Sequence, residues 1–168
     1  MNVLEDVKNQ FRESMGRLAA GVSIVTTDVG NRPWGLTISA CASISMDPPL
    51  LMISLANNTA STDAILKNKR FAVSILNNEQ IDIAKQGSQQ GKPKFFEKFA
   101  TKAYNKYLIN NALANIQCNV ENIVPAGDHT IFIGRVEHVD LGDLKDPLLY
   151  YHRNFGSFKK DMTSLKSY

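Results

Sequence analysis

The chain is predicted to be mainly β with peripheral helices, folded as an antiparallel barrel. Strand-length runs rich in β-branched and apolar residues recur from Val22 to Thr27, Leu50 to Leu55, Phe71 to Leu76, Ala114 to Val124, Thr130 to Val139 and Leu148 to Tyr151, which is the β signal. Turn clusters separate several of them, notably Asp28-Val29-Gly30-Asn31-Arg32-Pro33 and Met46-Asp47-Pro48-Pro49. Helical spacing is confined to a few segments, so the strands do not alternate regularly with helices as a parallel sheet would require.

Taken in order, Leu4, Val7, Phe11, Met15 and Leu18 recur at three and four residues and predict an amphipathic helix ending near Gly21. Its apolar stripe suits a core or a subunit interface. Val22 to Thr27 and the strand starting at Trp34 form a hairpin across the 28–33 turn, and Leu50 to Leu55 follows the turn at 46–49. Asn57-Asn58-Thr59-Ala60 reads as a polar loop, with Ser61 or Thr62 capping a short helix to about Asn68. After the strand at 71–76, Asn77 or Asn78 caps another short helix containing Ile81 and Ile83. From Gly87 to Lys94 the composition turns to Gly, Gln, Ser, Lys and Pro, a mobile surface loop of the kind that closes over ligands.

The 168 residues fit one domain spanning 1–168, with enough length to bury a core. No apolar run reaches membrane-spanning length, and Glu5, Asp6 and Lys8 interrupt the N-terminus where a secretory signal would be apolar. A cytoplasmic protein without a membrane partner is expected. The net charge of +3 is spread out, with only a loose concentration from Lys92 to Lys106, and so predicts a solvated surface and no nucleic-acid partner. Cys41 and Cys118 are far apart, without Cys-x-x-Cys spacing or nearby paired histidines; neither a metal site nor a disulfide framework is indicated.

The segment Gly35 to Leu55, GLTISACASISMDPPLLMISL, holds the chemistry. Thr37, Ser39, Ser43, Ser45 and Ser54 place short donors and acceptors where a core strand would carry bulk, so a flat ligand with polar edges could lie close to the backbone. The same pattern fits a strand with solvent-facing hydroxyls. No Rossmann fingerprint is present, and after Gly16 and Gly21 come Val22 and Ser23 where a phosphate-binding P-loop needs Lys and then Ser or Thr. No Gly-x-Ser-x-Gly elbow supports a serine hydrolase built on Asp128 and His129.

That segment, with FRESMGRLAAGVSIVTT before it, RFAVSIL, the Gly127-Asp128-His129 turn and PLLYY, resembles the flavin reductase family with the FMN-binding split β-barrel fold, over roughly Phe11 to Phe158. These are small reductase components of two-component flavin monooxygenases, such as that of 4-hydroxyphenylacetate hydroxylase. The resemblance implies an NAD(P)H-dependent reductase that takes FMN or FAD as flavin and NADH or NADPH as donor. It also implies a homodimer that supplies reduced flavin to a partner monooxygenase. A noncatalytic flavin-binding or electron-transfer protein on the same barrel is the alternative.

Carried over by residue, the resemblance sets Trp34, Gly35, Leu36, Thr37 and Ser39 along the isoalloxazine edge, with Ala40, Cys41 and Ser43 continuing that wall. Ser54, Leu55 and Ala56 match the end of the partner strand. Asn58, Thr59, Ala60, Ser61 and Thr62 match the loop into the short helix, where hydroxyls and N–H groups suit a phosphate. Lys94 and Phe95 resemble a Lys-Phe pair on the mobile loop, though a surface Lys beside a core Phe reads equally well. Gly127, Asp128 and His129 match a motif that sets its histidine beside the nicotinamide, where it would orient and not donate a proton; a histidine hydrogen-bonded at a strand start is the other reading. Ser74 stands where many members have Asn, and Asn57-Asn58-Thr59 where many have a basic or Ser-rich phosphate loop.

Overall fold

A computed structural model describes residues 3–158. In chain order these form α1 (Val3–Gly16), β1 (Ala20–Gly21), β2 (Ser23–Val29), β3 (Arg32–Ile38), β4 (Cys41–Met46), β5 (Pro49–Ala56), α2 (Ala60–Asn68), β6 (Arg70–Ile75), α3 (Ile81–Ser88), β7 (Ala100–Ala103), β8 (Lys106–Ile109), β9 (Ala114–Ala126), β10 (His129–Leu141), β11 (Leu148–Tyr151) and β12 (Asn154–Ser157). A short 3₁₀ turn, Asn78–Gln80, leads into α3.

Seven strands make an antiparallel sheet in the order β3-β2-β6-β9-β10-β5-β4. Its two edge strands, β3 and β4, are separated in sequence only by Ser39 and Ala40. The edges must therefore meet at one corner, while no ladder pairs them along their length, so the sheet wraps into a barrel left split between β3 and β4. The fold is the mainly β split barrel that the sequence predicts. Two satellite sheets, β1-β11-β12 and β7-β8, pack around it.

Strand alternation builds two cores from single strands. On β2, Val25 points into the barrel with Ile53, Leu55, Phe71, Val73, Cys118 and Phe132. Its neighbour Ile24 points outward, packing with Ile83, Ala84, Phe96, Ile109 and Leu148 beneath α3 and the satellite strands. Gly134 of β10 is needed in the first core, because a Cβ there would sit 2.6 Å from both the Cys118 Cβ and the Phe71 ring.

Several boundaries differ from expectation. α1 ends at Gly16, not near Gly21, because Ala20 and Gly21 pair with Tyr150 and Leu149 of β11. None of its residues is buried; Val7, Phe11 and Met15 are 58%, 66% and 48% exposed. Thr59, not Ser61 or Thr62, caps α2, its hydroxyl accepting from the Thr62 N–H. Asn77 caps the 3₁₀ turn through a capping box with Gln80. Gly87 and Ser88 belong to α3, not to the following loop. The hairpin β7-β8 and the strand β12 lie in segments whose sequence lacks a clear strand pattern.

Candidate functional site

The groove beside β3 is formed by three pieces of chain. Trp34, Leu36 and Thr37 supply the strand, Ala56 and Asn58 through Ser61 the end of β5 and the entry to α2, and Ser88, the last residue of α3, with Gln90, Gly91, Lys92 and Lys94 the segment that follows; together they enclose about 550 Å³. A second compartment of about 310 Å³ continues past Thr37 and Ser88 to Ser39, Tyr150, Arg153 and Phe155. The two share Thr37 and Ser88, so they run as one trough along β3. A larger cleft of about 640 Å³ lies elsewhere, between the 3₁₀ turn and the end of β10, and holds none of the sequence-predicted site residues.

Each wall has a local cause. The Thr37 hydroxyl donates to the Ala84 carbonyl at 2.6 Å, fixing α3 against β3 and leaving backbone at the trough. Gly35 faces the other way, where a Cβ would meet the Phe96 ring. Its N–H donates to the Lys94 carbonyl and the Phe96 N–H to the Pro33 carbonyl, both at 2.9 Å. The 94–96 segment thereby straps β3, with Phe95 edge-on to Trp34 at 4.9 Å and the Arg32 guanidinium 3.5 Å from the Phe95 ring centre. The fully buried phenylalanine is Phe96, one residue later than the Lys-Phe pair; Phe95 is half-buried.

At the α2 entry the Thr59 and Thr62 hydroxyls both donate to the Ala56 carbonyl, at 3.2 and 2.8 Å. Ser61 is fully buried, yet its hydroxyl has no hydrogen-bond partner among the described residues. An unsatisfied buried hydroxyl costs roughly 1–3 kcal/mol, so this one at a helix N-terminus in the trough wall is a place for an anion to accept from it. Burial also pushes the Lys94 ammonium, in the same trough lining, below the ordinary lysine value. The residues present fit a flat ligand with a phosphate: the β3 strand along one side, an orphaned hydroxyl and N–H groups at α2, and the Lys94 cation in the same lining.

His129 opens β10 directly across from Ala56 of β5. Its Nδ1 lies 2.7 Å from the Asp128 carboxylate, and that hydrogen bond holds the Asp128 carboxyl below its usual range. Asn57 staples this turn to the α2 loop, its N–H donating to the Asp128 carbonyl at 2.9 Å and its side-chain amide to the Gly127 carbonyl at 3.2 Å. His129 is thus at the trough's rim and not in its wall.

The remaining sequence-predicted residues scatter around this centre. The Leu55 side chain is buried in the barrel core, and Thr62 is buried behind Thr59. The Ala40 carbonyl accepts from the Ser54 N–H at 3.2 Å, holding the corner where β3 passes into β4. Ser43 is exposed on β4. Cys41 packs against the core and burial pushes its thiol up to about 11; it stays protonated and is no nucleophile. Cys118 is buried and free, its thiol pushed up to about 12 chiefly by burial. Sequence reasoning did not name Ser88, Gln90, Gly91 and Lys92, although they fall in or beside the loop expected to close over a ligand. It also omitted Arg153 and Phe155, whose signal was the neighbouring PLLYY.

Among the described residues, no helix is long and apolar enough to cross a membrane, and no cluster of His, Cys, Asp and Glu could hold a metal. The chain is 30% identical over 162 residues to an NADH-dependent FMN reductase of Streptomyces nodosus subsp. asukaensis, covering 94% of this chain and 88% of that one. It is 30% identical over 149 residues to the reductase component of 4-hydroxyphenylacetate 3-monooxygenase from Thermus thermophilus, covering 89% and 95%. A solved structure of the Streptomyces globisporus NADH:FAD oxidoreductase, in complex with NAD and FAD fragments, superposes with a TM-score of 0.85 at 26% identity, covering 93% and 95%. The family described as flavin reductase like domain matches residues 15–159, and with the split barrel and its trough this chain belongs to that family.

Proposed function

We propose that this single domain is a cytoplasmic NAD(P)H-dependent flavin reductase that binds FMN or FAD in the trough along β3 and releases the reduced flavin to a partner monooxygenase. The observation that carries the reading is the joining of the half-buried Trp34, Leu36 and Thr37 of β3 to the α2 N-terminus in one cavity, where the buried Ser61 hydroxyl has no partner among the described residues. The flavin, when bound, supplies the hydride-accepting ring. The chain's own residues then bind, orient and exclude. Trp34, Leu36 and the 37–39 backbone set the plane of the ring, while Ser61 and the first N–H groups of α2 hold the phosphate. Lys94, in the same lining, balances the anionic charge. His129, kept in one orientation by Asp128, positions the nicotinamide and neither gives nor takes a proton, since hydride transfer requires no protein acid or base.

The alternative to be tested against is a noncatalytic flavin-binding or electron-transfer protein on the same barrel, since the fold alone does not establish turnover. Oxidation of NADH and of NADPH is followed with FMN, FAD or riboflavin added. Multiple turnovers with at least one pair establish the reductase; flavin binding without oxidation of either nicotinamide leaves the noncatalytic reading. α1 gives the subunit arrangement its argument. Covering Val7, Phe11 and Met15 against a second copy would recover roughly 1.5–3 kcal/mol for each large side chain fully buried, so the working unit is a homodimer.

A further inference from the structure

We propose that Lys106 and Arg70 form a second anion site, away from the trough, that takes a compact oxyanion: phosphate, or the phosphoryl end of a small metabolite. The site is a cavity of about 310 Å³ that both residues line together with Asn105, Asn119 and Glu137. Lys106 is only 8% exposed. Among the described residues no carboxylate lies within ion-pair distance of its ammonium. A buried ammonium without a paired carboxylate is costly, and burial accordingly lowers the Lys106 pKa, the charge of Glu137 in the cavity lining opposing this and that of Arg70 adding to it by less.

Arg70 makes the complementary half. Its Nε and Nη2 both donate to the same oxygen of Asp28, at 3.2 and 2.7 Å, so its guanidinium is held in place with Nη1 uncommitted to any described residue. An anion between Lys106 and Arg70 would accept from both, from the Lys106 ammonium and from the free Nη1. The side-chain amides of Asn105 and Asn119 offer further donors.

The cavity is built and not incidental. Tyr104 and Asn105 both have positive φ, 47° and 63°, in the two-residue turn of the β7-β8 hairpin, where Ala103 pairs with Lys106. Such backbone is unfavourable for tyrosine. The Tyr104 ring stacks on His138 with centres 4.2 Å apart, clamping the turn to β10 so that Lys106 is carried over the start of β6.

Calorimetric titration with inorganic phosphate at constant ionic strength tests this on the wild type, Lys106→Met and Lys106→Arg. Wild type should bind saturably, Lys106→Met about tenfold or more weaker, and Lys106→Arg within about threefold of wild type. Phosphate taken up at α2 is common to all three proteins and cancels in the comparison. Ribose 5-phosphate is titrated in parallel: tighter binding than inorganic phosphate identifies an ester as occupant, weaker binding identifies the free ion. Superposable wild-type and Lys106→Met isotherms, or no saturable binding, would overturn the proposal. Should Lys106→Met not fold, Lys106→Gln takes its place under the same criteria.

Discussion

The Thr37 hydroxyl and Gly87 occupy the same space: a Cβ on Gly87 would fall well inside contact distance of that oxygen, 2.9 Å from the Thr37 amide nitrogen and 3.2 Å from Ile24 Cδ1. α3 can approach β3 closely enough for Thr37 to donate to Ala84 only because residue 87 has no side chain. Replacing glycine by alanine inside a helix ordinarily stabilises by about 1 kcal/mol. Here the obstruction is partly rigid backbone, so overpacking at about 1–3 kcal/mol outweighs it. Gly87→Ala should lower the melting temperature and weaken flavin binding together, as α3 and Ser88 shift from the trough; a melting temperature at or above wild type would show that the helix moves without cost.

Ser39 lies exposed at the end of β3, in the second compartment of the trough. Ser39→Leu places bulk where the flat ring should lie without disturbing either core, so flavin affinity should fall about tenfold or more with little change in stability. Fluorescence titration against FMN and FAD, beside thermal melting, checks this. A folded variant that titrates like wild type would remove β3 from the site.

Legibility followed from how local each determinant is. Strands such as Val22–Thr27 and Phe71–Leu76 announce themselves through β-branched runs, and the turn at 46–49 through its prolines. The hairpin TKAYNKYLI is set by a tyrosine forced to positive φ and stacked on His138, far away in sequence, and no local pattern reports that. Thr59 takes the cap from Ser61 and Thr62 because its backbone is extended while theirs is already helical. Gly87 looked like a loop residue on composition; its reason is the Thr37 contact across the fold. The trough itself needed 37–39, 58–61 and 88–94 brought together. The family resemblance named Thr37, Ser39, 58–61 and Lys94 but not 88–92, and the wrapping of the sheet explains why they meet.

Ser61→Ala separates phosphate recognition from ring recognition. The hydroxyl has no partner among the described residues, so its removal should leave stability unchanged or slightly raised. FMN affinity should drop about tenfold, while riboflavin, which has no phosphate, should bind as before. Equal losses for FMN and riboflavin would place the Ser61 effect on the ring or on the fold and reject the α2 phosphate site.

Phe11 tests the covering of α1. Phe11→Glu charges the middle of its exposed face while touching neither core. Light scattering should report a dimer for wild type and a monomer, or a dimer about tenfold or more weaker, for the variant. A wild-type monomer across the micromolar range would contradict the homodimer.

His129→Ala distinguishes a positioning residue from a structural one. The imidazole is half exposed and, among the described residues, bonded only to the side chain of Asp128, while the turn is held independently by Asn57. Its loss should therefore spare the fold and leave flavin affinity close to wild type. Without the contact that orients the nicotinamide, KM for NADH should rise several-fold and hydride transfer should slow by about ten- to a hundred-fold. Because no proton is exchanged with the ring, the pH profile of turnover should keep its wild-type shape, offset to lower rate. A histidine acting as acid or base would instead leave a profile missing one limb. Unfolding or loss of flavin binding would reveal a structural histidine at the start of β10, and unaltered reductase kinetics would move the nicotinamide site away from the Gly127-Asp128-His129 turn.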